Sequence, residues 1–276
     1  MPIKILFSAL SLLFLSSINA IGQTYDEWVN RSFDYIDQDS TALAEECLKK
    51  AMRLDPDNPR NGMLFVNLGT LQRTLGKYQD AEISYSCALS LLSEMPKIRQ
   101  NRAELYADMG RYRDAIDDYT VLLQAEPNNE EWLYRRALCR LMASDTLGAR
   151  QDLEYIDTFN PKSAKSRLGM AVVYKTKGEY SMAEDLYNAL IKANPDSWSL
   201  LRDRAEVYYL SNRYGAALVD INESIKRNPN DPMSYILRAQ IRYAKGDNEY
   251  ARRDLNTALQ KGASQEIVSD IIGKSR

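Results

Sequence analysis

A repeat of thirty-four residues runs through most of this 276-residue chain and constrains its fold more than any other feature. Alanine recurs at that interval at Ala81, Ala115, Ala149, Ala183, Ala217 and Ala251, and Ala44 precedes the series by thirty-seven residues. Twelve residues before each of these seven alanines stands another small residue: Ser32, Gly69, Ala103, Ala137, Ala171, Ala205 and Ala239. Self-similarity at a fixed period is typical of repeat proteins, in which neighbouring copies stack and bury a shared core.

Each repeat divides into two predicted helices. In the fifth repeat, Ala171 and Tyr174 mark the apolar stripe of one helix. Ala183, Tyr187 and Leu190, at positions i, i+4 and i+7, mark the stripe of a second. Helix-ending prolines follow at the same interval, at Pro127, Pro161, Pro195 and Pro229. The sequence therefore predicts an all-α fold of antiparallel helix pairs, with small residues where paired helices approach each other.

The pattern resembles that of the tetratricopeptide repeat (TPR) family, which runs Trp, Leu-Gly, Tyr, Ala, Phe, Ala, Pro. The second repeat matches it with Phe65, Leu68-Gly69, Ala81, Tyr85 and Ala88, and the first with Trp28, Tyr35, Ala44, Ala51 and Pro56. The predicted repeats cover residues 25–58, 62–95, 96–129, 130–163, 164–197, 198–231 and 232–263. The resemblance implies a right-handed α-solenoid of seven helix pairs, a TPR superhelix.

The chain departs from the repeat after residue 263. Ile267, Val268, Ile271 and Ile272 form a short amphipathic stretch there. A terminal repeat leaves one face unpacked, and a capping helix is the expected way to cover it. We expect residues 264–276 to be a capping helix and tail.

The first twenty-two residues are typical of a secretory signal peptide. Lys4 precedes an apolar run, residues 5–15, and the small residues Ala20 and Gly22 follow. Eleven residues are too few to span a bilayer, which takes about 20. Cleavage is expected after Gly22 or after Ala20, and the junction has no cysteine for a lipid anchor. The sequence therefore predicts an exported protein, periplasmic or secreted, with no membrane span after cleavage.

Catalysis finds little support in the composition. There is no histidine, and no phosphate-binding loop, nucleophile elbow or paired Cys-x-x-Cys occurs. Carboxylate pairs such as Asp117-Asp118 fall at positions where polar residues recur in several repeats. A net charge of -2 without a basic stripe argues against nucleic-acid binding. We expect no enzyme, no metal site and no cofactor, and three free thiols at Cys47, Cys87 and Cys139.

Two repeat positions vary together. Counted from the first residue of each repeat, positions 7 and 23 should lie opposite each other on the two helices of a pair. In four repeats they hold arginine and aspartate: Arg102 with Asp118, Arg136 with Asp152, Arg204 with Asp220 and Arg238 with Asp254. In the fifth repeat both charges are missing, and Met170 goes with Leu186. The covariation predicts four partly buried ion pairs within repeats.

The TPR resemblance implies that the first helix of each pair lines a concave groove, through positions 2, 5, 9, 12 and 13. In repeats four to seven these positions are largely apolar and aromatic. The candidate contact residues are Tyr134, Leu138, Met142, Leu168, Arg202, Tyr209, Ile236 and Tyr243, with Lys175 beside them. Some relatives grip an acidic C-terminal tail with lysine and asparagine at positions 2, 5, 6 and 9. Position 5 here carries no such residue, so that clamp is not expected.

Three functions remain open at this stage. The favoured one is a scaffold of the bacterial cell envelope that holds a partner's peptide or helix in the groove. Another is a structural or regulatory subunit that docks onto a larger envelope complex through the convex face of the second helices. The third is a glycan binder or an enzyme accessory protein, which the absent histidine and catalytic motifs disfavour.

Overall fold

A computed structural model of the chain describes residues 23–274, so the predicted signal peptide lies outside the described residues. Within that range the chain forms fifteen α-helices and no strand. They are α1 (Tyr25–Asp37), α2 (Thr41–Leu54), α3 (Asn61–Thr74), α4 (Tyr78–Leu91), α5 (Pro96–Asp108), α6 (Tyr112–Ala125), α7 (Glu130–Met142), α8 (Thr146–Phe159), α9 (Ala164–Thr176), α10 (Tyr180–Ala193), α11 (Trp198–Leu210), α12 (Tyr214–Arg227), α13 (Pro232–Ala244), α14 (Asn248–Gln260) and α15 (Gln265–Lys274).

The chain divides into two compact modules. The N-terminal module contains α1 to α6, and the C-terminal module, from Glu126, contains α7 to α15. In each module the two helices of a repeat pack together, and each second helix also packs on the first helix of the next pair. The all-α solenoid class predicted from the repeat is confirmed. Its right hand stays a prediction.

Small residues hold the helix pairs close together. Ala44 and the six alanines of the thirty-four-residue series are all fully buried. Their partners on the first helices are equally constrained: a Cβ added at Gly69 would lie 2.8 Å from the ring of Tyr85. A larger side chain at either position would push the helices apart, which a close-packed interior resists.

The turn inside each helix pair needs one residue with positive φ. Glycine supplies it in four repeats, at Gly76, Gly110, Gly178 and Gly246. Asp39, Ser144 and Asn212 take the same conformation in the other three. Serine is the least suited to it, because a Cβ clashes there and serine lacks the local stabilisation of Asn or Asp. In that repeat Asp145 compensates by capping α8, accepting a 2.9 Å hydrogen bond from the amide of Gly148.

The segment after residue 263 forms helix α15. It packs on α14, and Val268 and Ile271 are buried in a cluster with Leu255 and Ala258. Ile267 is exposed. Residues 275–276 lie outside the described range.

Candidate partner-binding surface

Each of the four arginine–aspartate pairs lies within hydrogen-bonding distance. Nε or Nη2 of the arginine lies 2.6–2.8 Å from a carboxylate oxygen in the pairs Arg102–Asp118, Arg136–Asp152, Arg204–Asp220 and Arg238–Asp254. The guanidinium donates two hydrogen bonds to the carboxylate each time. All four aspartates are buried. Such bidentate geometry is the strongest form of this contact.

The pairs differ in how many cations share the carboxylate. Second arginines reach three of the aspartates: Arg99 reaches Asp118, Arg140 reaches Asp152 and Arg242 reaches Asp254. Among the described residues, Asp220 is paired with Arg204 alone.

Three of these arginines also bind the preceding repeat. Nη1 donates to Ser86 from Arg102, to Asn188 from Arg204 and to Asn222 from Arg238. A single guanidinium therefore joins both helices of its own pair to the second helix before it. These residues are structural, and they are not free to bind a partner.

The nine candidate groove residues lie on the first helices of the C-terminal module. Tyr134, Leu138 and Met142 are on α7, Leu168 and Lys175 on α9, Arg202 and Tyr209 on α11, and Ile236 and Tyr243 on α13. Met142 is 62% exposed, and the others except Ile236 are half-buried. Ile236 is only 4% exposed and packs on Ala239 and Leu255. Its role as a contact residue stays a prediction, and only a small part of its side chain is exposed to a partner.

Arg202 and Lys175, which are predicted to contact a partner, are both engaged in ion pairs with acidic residues of this chain. Arg202 Nη2 lies 3.1 Å from Asp203, and Nη1 lies 3.2 Å from Asp231, which caps the N-terminus of α13. Lys175 Nζ lies 2.6 Å from Glu206. The carboxylates that pair with these cations belong to the same first helix or to the first helix of the next repeat. Comparing equivalent positions of the repeats does not predict such pairs.

A cleft of about 240 Å3 lies between α11 and α13. Its α11 side is charged, with Arg202, Asp203 and Glu206. Its α13 side is mainly apolar and is formed by Met233, Ile236, Leu237 and Gln240. The cleft therefore offers an apolar wall opposite a row of charges, and Ile236 contributes its small exposed part to it.

A buried tyrosine hydroxyl is associated with the same charges. Tyr187 of α10 is fully buried, and its Oη has no hydrogen-bond partner among the residues that the structure describes. The equivalent Tyr85 in the second repeat shares a 3.1 Å hydrogen bond with Thr70 Oγ1. In the fifth repeat Val172 replaces that threonine, so the hydroxyl loses its partner. A buried polar group left unpaired costs about 1–3 kcal/mol.

Burial dominates the electrostatics around the cleft. It raises the pKa of Asp203, although Arg202 beside it acts in the opposite direction. Burial also raises the pKa of Tyr187, and the charges of Asp203 and Glu206 raise it further.

Sequence reasoning missed Asp203, Glu206, Gln240 and Tyr187 as features of this surface. One signal was available for Glu206. It lies thirty-one residues after Lys175, and Glu104 lies thirty-one after Arg73, with which it forms a 3.0 Å ion pair in the N-terminal module. Tyr187 was assigned to the core by its periodicity, and only the identity of residue 172 distinguishes its hydroxyl from that of Tyr85.

Other sites are sparse in the described part of the chain. Cys47, Cys87 and Cys139 are free thiols. Residues 23–274 contain no cluster of three potential metal ligands. The helices in that range are too short or too polar to cross a bilayer.

Comparison with known proteins decides the family. Models described as Tetratricopeptide repeat match residues 28–58, 101–164 and 168–232, which is more than half of the chain. The chain belongs to the tetratricopeptide repeat family. As a family, TPR proteins are generally non-catalytic scaffolds for protein–protein interaction.

Solved TPR structures resemble this TPR chain over most of its length. A tetratricopeptide repeat protein from Parabacteroides merdae is 36% identical, with a TM-score of 0.85, and the match covers 92% of this chain and 99% of that one. A thermophilic TPR protein of Thermus thermophilus is 19% identical, with a TM-score of 0.56 over 65% of this chain and 98% of that one, and shows the fold alone.

Curated TPR relatives are longer proteins of which only a part matches. Human DnaJ homolog subfamily C member 7 is 34% identical over 32% of this chain and 18% of its own length. Human Tetratricopeptide repeat protein 6 is 23% identical over 65% of this chain and 34% of its own length. The chain thus matches about a third or less of these relatives.

Proposed function

We propose that this protein is a non-enzymatic scaffold of the bacterial cell envelope, which holds a partner's peptide or helix on the first helices of its C-terminal module. The observation that carries the proposal is the cleft between α11 and α13. It combines apolar side chains with a few oriented polar groups, the composition typical of a binding site.

Exposed apolar side chains extend the surface beyond the cleft. Met233 is 46% exposed at its edge, and Met142 is 62% exposed on α7. Methionine adapts its shape to a partner at low cost, and half-buried tyrosines such as Tyr134 and Tyr243 supply rigid contact area. These features favour an elongated partner with several apolar side chains.

Export is part of the proposal and is supported by the signal-peptide pattern of residues 1–22. N-terminal sequencing of the protein recovered from the cell envelope should find Gln23 or Ile21 as the first residue. A soluble, folded protein that retains Met1 would contradict export.

The convex-face alternative has its own supporting observation. Second helices carry apolar residues that are highly exposed, among them Leu147 at 68% and Val219 at 70%. Such residues also occur singly on ordinary protein surfaces, where they need no partner. A direct comparison of the two faces is therefore required.

The test is selection of binders from a displayed library of random twelve-residue peptides, using the chain from residue 23. The groove variant Met142→Glu/Met233→Glu and the convex variant Leu147→Glu/Val219→Glu each add two charges at exposed positions. We expect the selected peptides to lose affinity for the groove variant only, with thermal unfolding unchanged in both. Loss restricted to the convex variant would favour the alternative, and a library that yields no binder would contradict the scaffold proposal.

A further inference from the structure

The charges around the cleft do not balance. Arg202 and Lys175 supply two cations, whereas Asp203, Glu206 and Asp231 supply three carboxylates, all joined by the ion pairs described above. The local sum is one negative charge. The raised pKa of Asp203, caused by burial that Arg202 only partly offsets, agrees with a carboxylate that lacks full neutralisation.

An anionic ligand would fit this arrangement badly. Both ends of the Arg202 guanidinium already face carboxylates, and Lys175 is bound to Glu206. A ligand carboxylate would have to displace one of them and would then lie beside the others. Like charges a few ångströms apart near a protein surface repel by about 1–4 kcal/mol.

The geometry points to a basic side chain as the occupant: we propose that the cleft between α11 and α13 takes a lysine or arginine side chain of the partner peptide. Its charged end would lie against Asp203 and Glu206, with the side-chain oxygen of Gln240 as a further acceptor. Its methylene stem would pack on Met233, Ile236 and Leu237, in the way that long basic side chains cover apolar surface. This inference rests on the proposed function and specifies the chemistry of its partner.

The size of the cleft agrees with such an occupant. Its volume of about 240 Å3 lies below the roughly 300–1,000 Å3 of typical small-molecule sites, so it suits a single side chain.

The N-terminal module supplies a matched control. Arg73 and Glu104 occupy the repeat positions of Lys175 and Glu206, and their side chains form the corresponding ion pair. At the position of Asp203, however, the third repeat has the neutral Asn101, and the Tyr85 hydroxyl is already bonded to Thr70. The variant Glu104→Gln therefore removes an equivalent carboxylate that does not line the cleft between α11 and α13.

The experiment uses peptides selected from the random twelve-residue library and resynthesised with norleucine in place of each basic residue in turn. Norleucine keeps the length of a lysine stem and removes the charge. We expect the selected peptides to share a lysine or arginine at a fixed distance from apolar residues, and its replacement to weaken binding at least tenfold. Glu206→Gln and Asp203→Asn should weaken the basic peptide by a similar factor and leave the norleucine peptide unchanged, whereas Glu104→Gln should affect neither.

Selected peptides that carry no common basic residue, or bind equally well with norleucine, would overturn this inference and leave the scaffold proposal standing. A library without binders would overturn the scaffold proposal itself. If Asp203→Asn fails to fold, the half-exposed Glu206 and the norleucine comparison on the unaltered chain still decide the question.

Discussion

Arg204 and Asp220 are joined by two hydrogen bonds, one of 2.6 Å from Nε and one of 2.8 Å from Nη2. The aspartate is buried and, among the described residues, has no second cation. Asp254 occupies the same position in the seventh repeat, but Arg242 reaches it at 2.6 Å in addition to Arg238. The two carboxylates therefore differ in how much they depend on one arginine.

Arg204→Met should destabilise the protein more than Arg238→Met, because it leaves Asp220 buried and uncompensated. We expect a loss of about 3–5 kcal/mol in the free energy of unfolding for Arg204→Met, measured by urea denaturation. The double change Arg204→Met/Asp220→Leu should recover most of the loss, since Met170 and Leu186 already occupy these positions in the fifth repeat. Equal losses for the two single variants would show that the second arginine is unimportant.

Val172→Thr should stabilise the protein by giving the Tyr187 hydroxyl the partner that Thr70 gives Tyr85. Threonine has nearly the shape of valine, so the gain should be about 1 kcal/mol, seen as a higher unfolding temperature. The reverse change, Thr70→Val, should cost about 1–2 kcal/mol because it leaves the buried Tyr85 hydroxyl unpaired. A Val172→Thr variant less stable than the parent would show that this hydroxyl does not need a partner from the first helix.

Glu45 should make the protein sensitive to acid. Burial would raise its pKa, but hydrogen bonds from Lys49, Lys77 and Gln72 outweigh burial and lower the pKa from 4.5 to about 2. A carboxylate with a lowered pKa stabilises the fold above its unfolded pKa, and this contribution disappears as the pH falls from 4.5 towards 2. Because both lysines are more than a third exposed, solvent screens these ion pairs. We therefore expect Glu45 to contribute about 1–2 kcal/mol to the free energy of unfolding.

The measurement for Glu45 is the free energy of unfolding between pH 6 and pH 2.5. Glu45→Gln should lower stability at pH 6 and flatten its pH dependence. Glu46→Gln is the neighbouring control, since Glu46 is exposed and pairs only with Lys50 one turn away in the described chain. A steeper or equal slope for Glu45→Gln would contradict the assignment.

The three cysteines should react with iodoacetamide in a defined order. Cys87 is half-buried, whereas Cys47 and Cys139 are buried, and burial raises the pKa of the Cys139 thiol to about 11. The thiolate is the reactive form, so at pH 8 Cys87 should be modified first and Cys139 last. Peptide mass spectrometry gives the order, and thiol counting in denaturant should give three. A count of one would reveal a disulfide.

The repeat framework follows from the sequence because it depends on size and polarity at fixed intervals. The buried alanines, the helix pairs and the level positions of Arg204 and Asp220 all express one geometry repeated along the chain. The surface does not follow in the same way. Whether Arg202 is available depends on Asp203 beside it and on Asp231, the capping residue of the next first helix. Ion pairs of this kind between neighbouring side chains do not recur at a fixed interval in the sequence.

The environment of the Tyr187 hydroxyl is a second feature that the repeat pattern does not predict. Tyr85 and Tyr187 are indistinguishable by position, size and burial. They differ only because Thr70 becomes Val172 on the facing helix. A substitution on one helix can therefore leave a buried hydroxyl on the paired helix without a hydrogen-bond partner. Only the three-dimensional pairing of the helices shows this.

The arginines at position 7 have a consequence for how such a chain can grow. Arg204 bonds Asn188 sixteen residues before it and Asp220 sixteen residues after it, and Arg238 does the same with Asn222 and Asp254. Duplication of the sixth repeat would keep the Arg204–Asp220 pair, since both residues lie in that repeat, and would place the copy of Arg204 sixteen residues after Asn222 at the new junction. Gene rearrangements that add or delete whole repeats would thus leave each of these two buried carboxylates with its arginine.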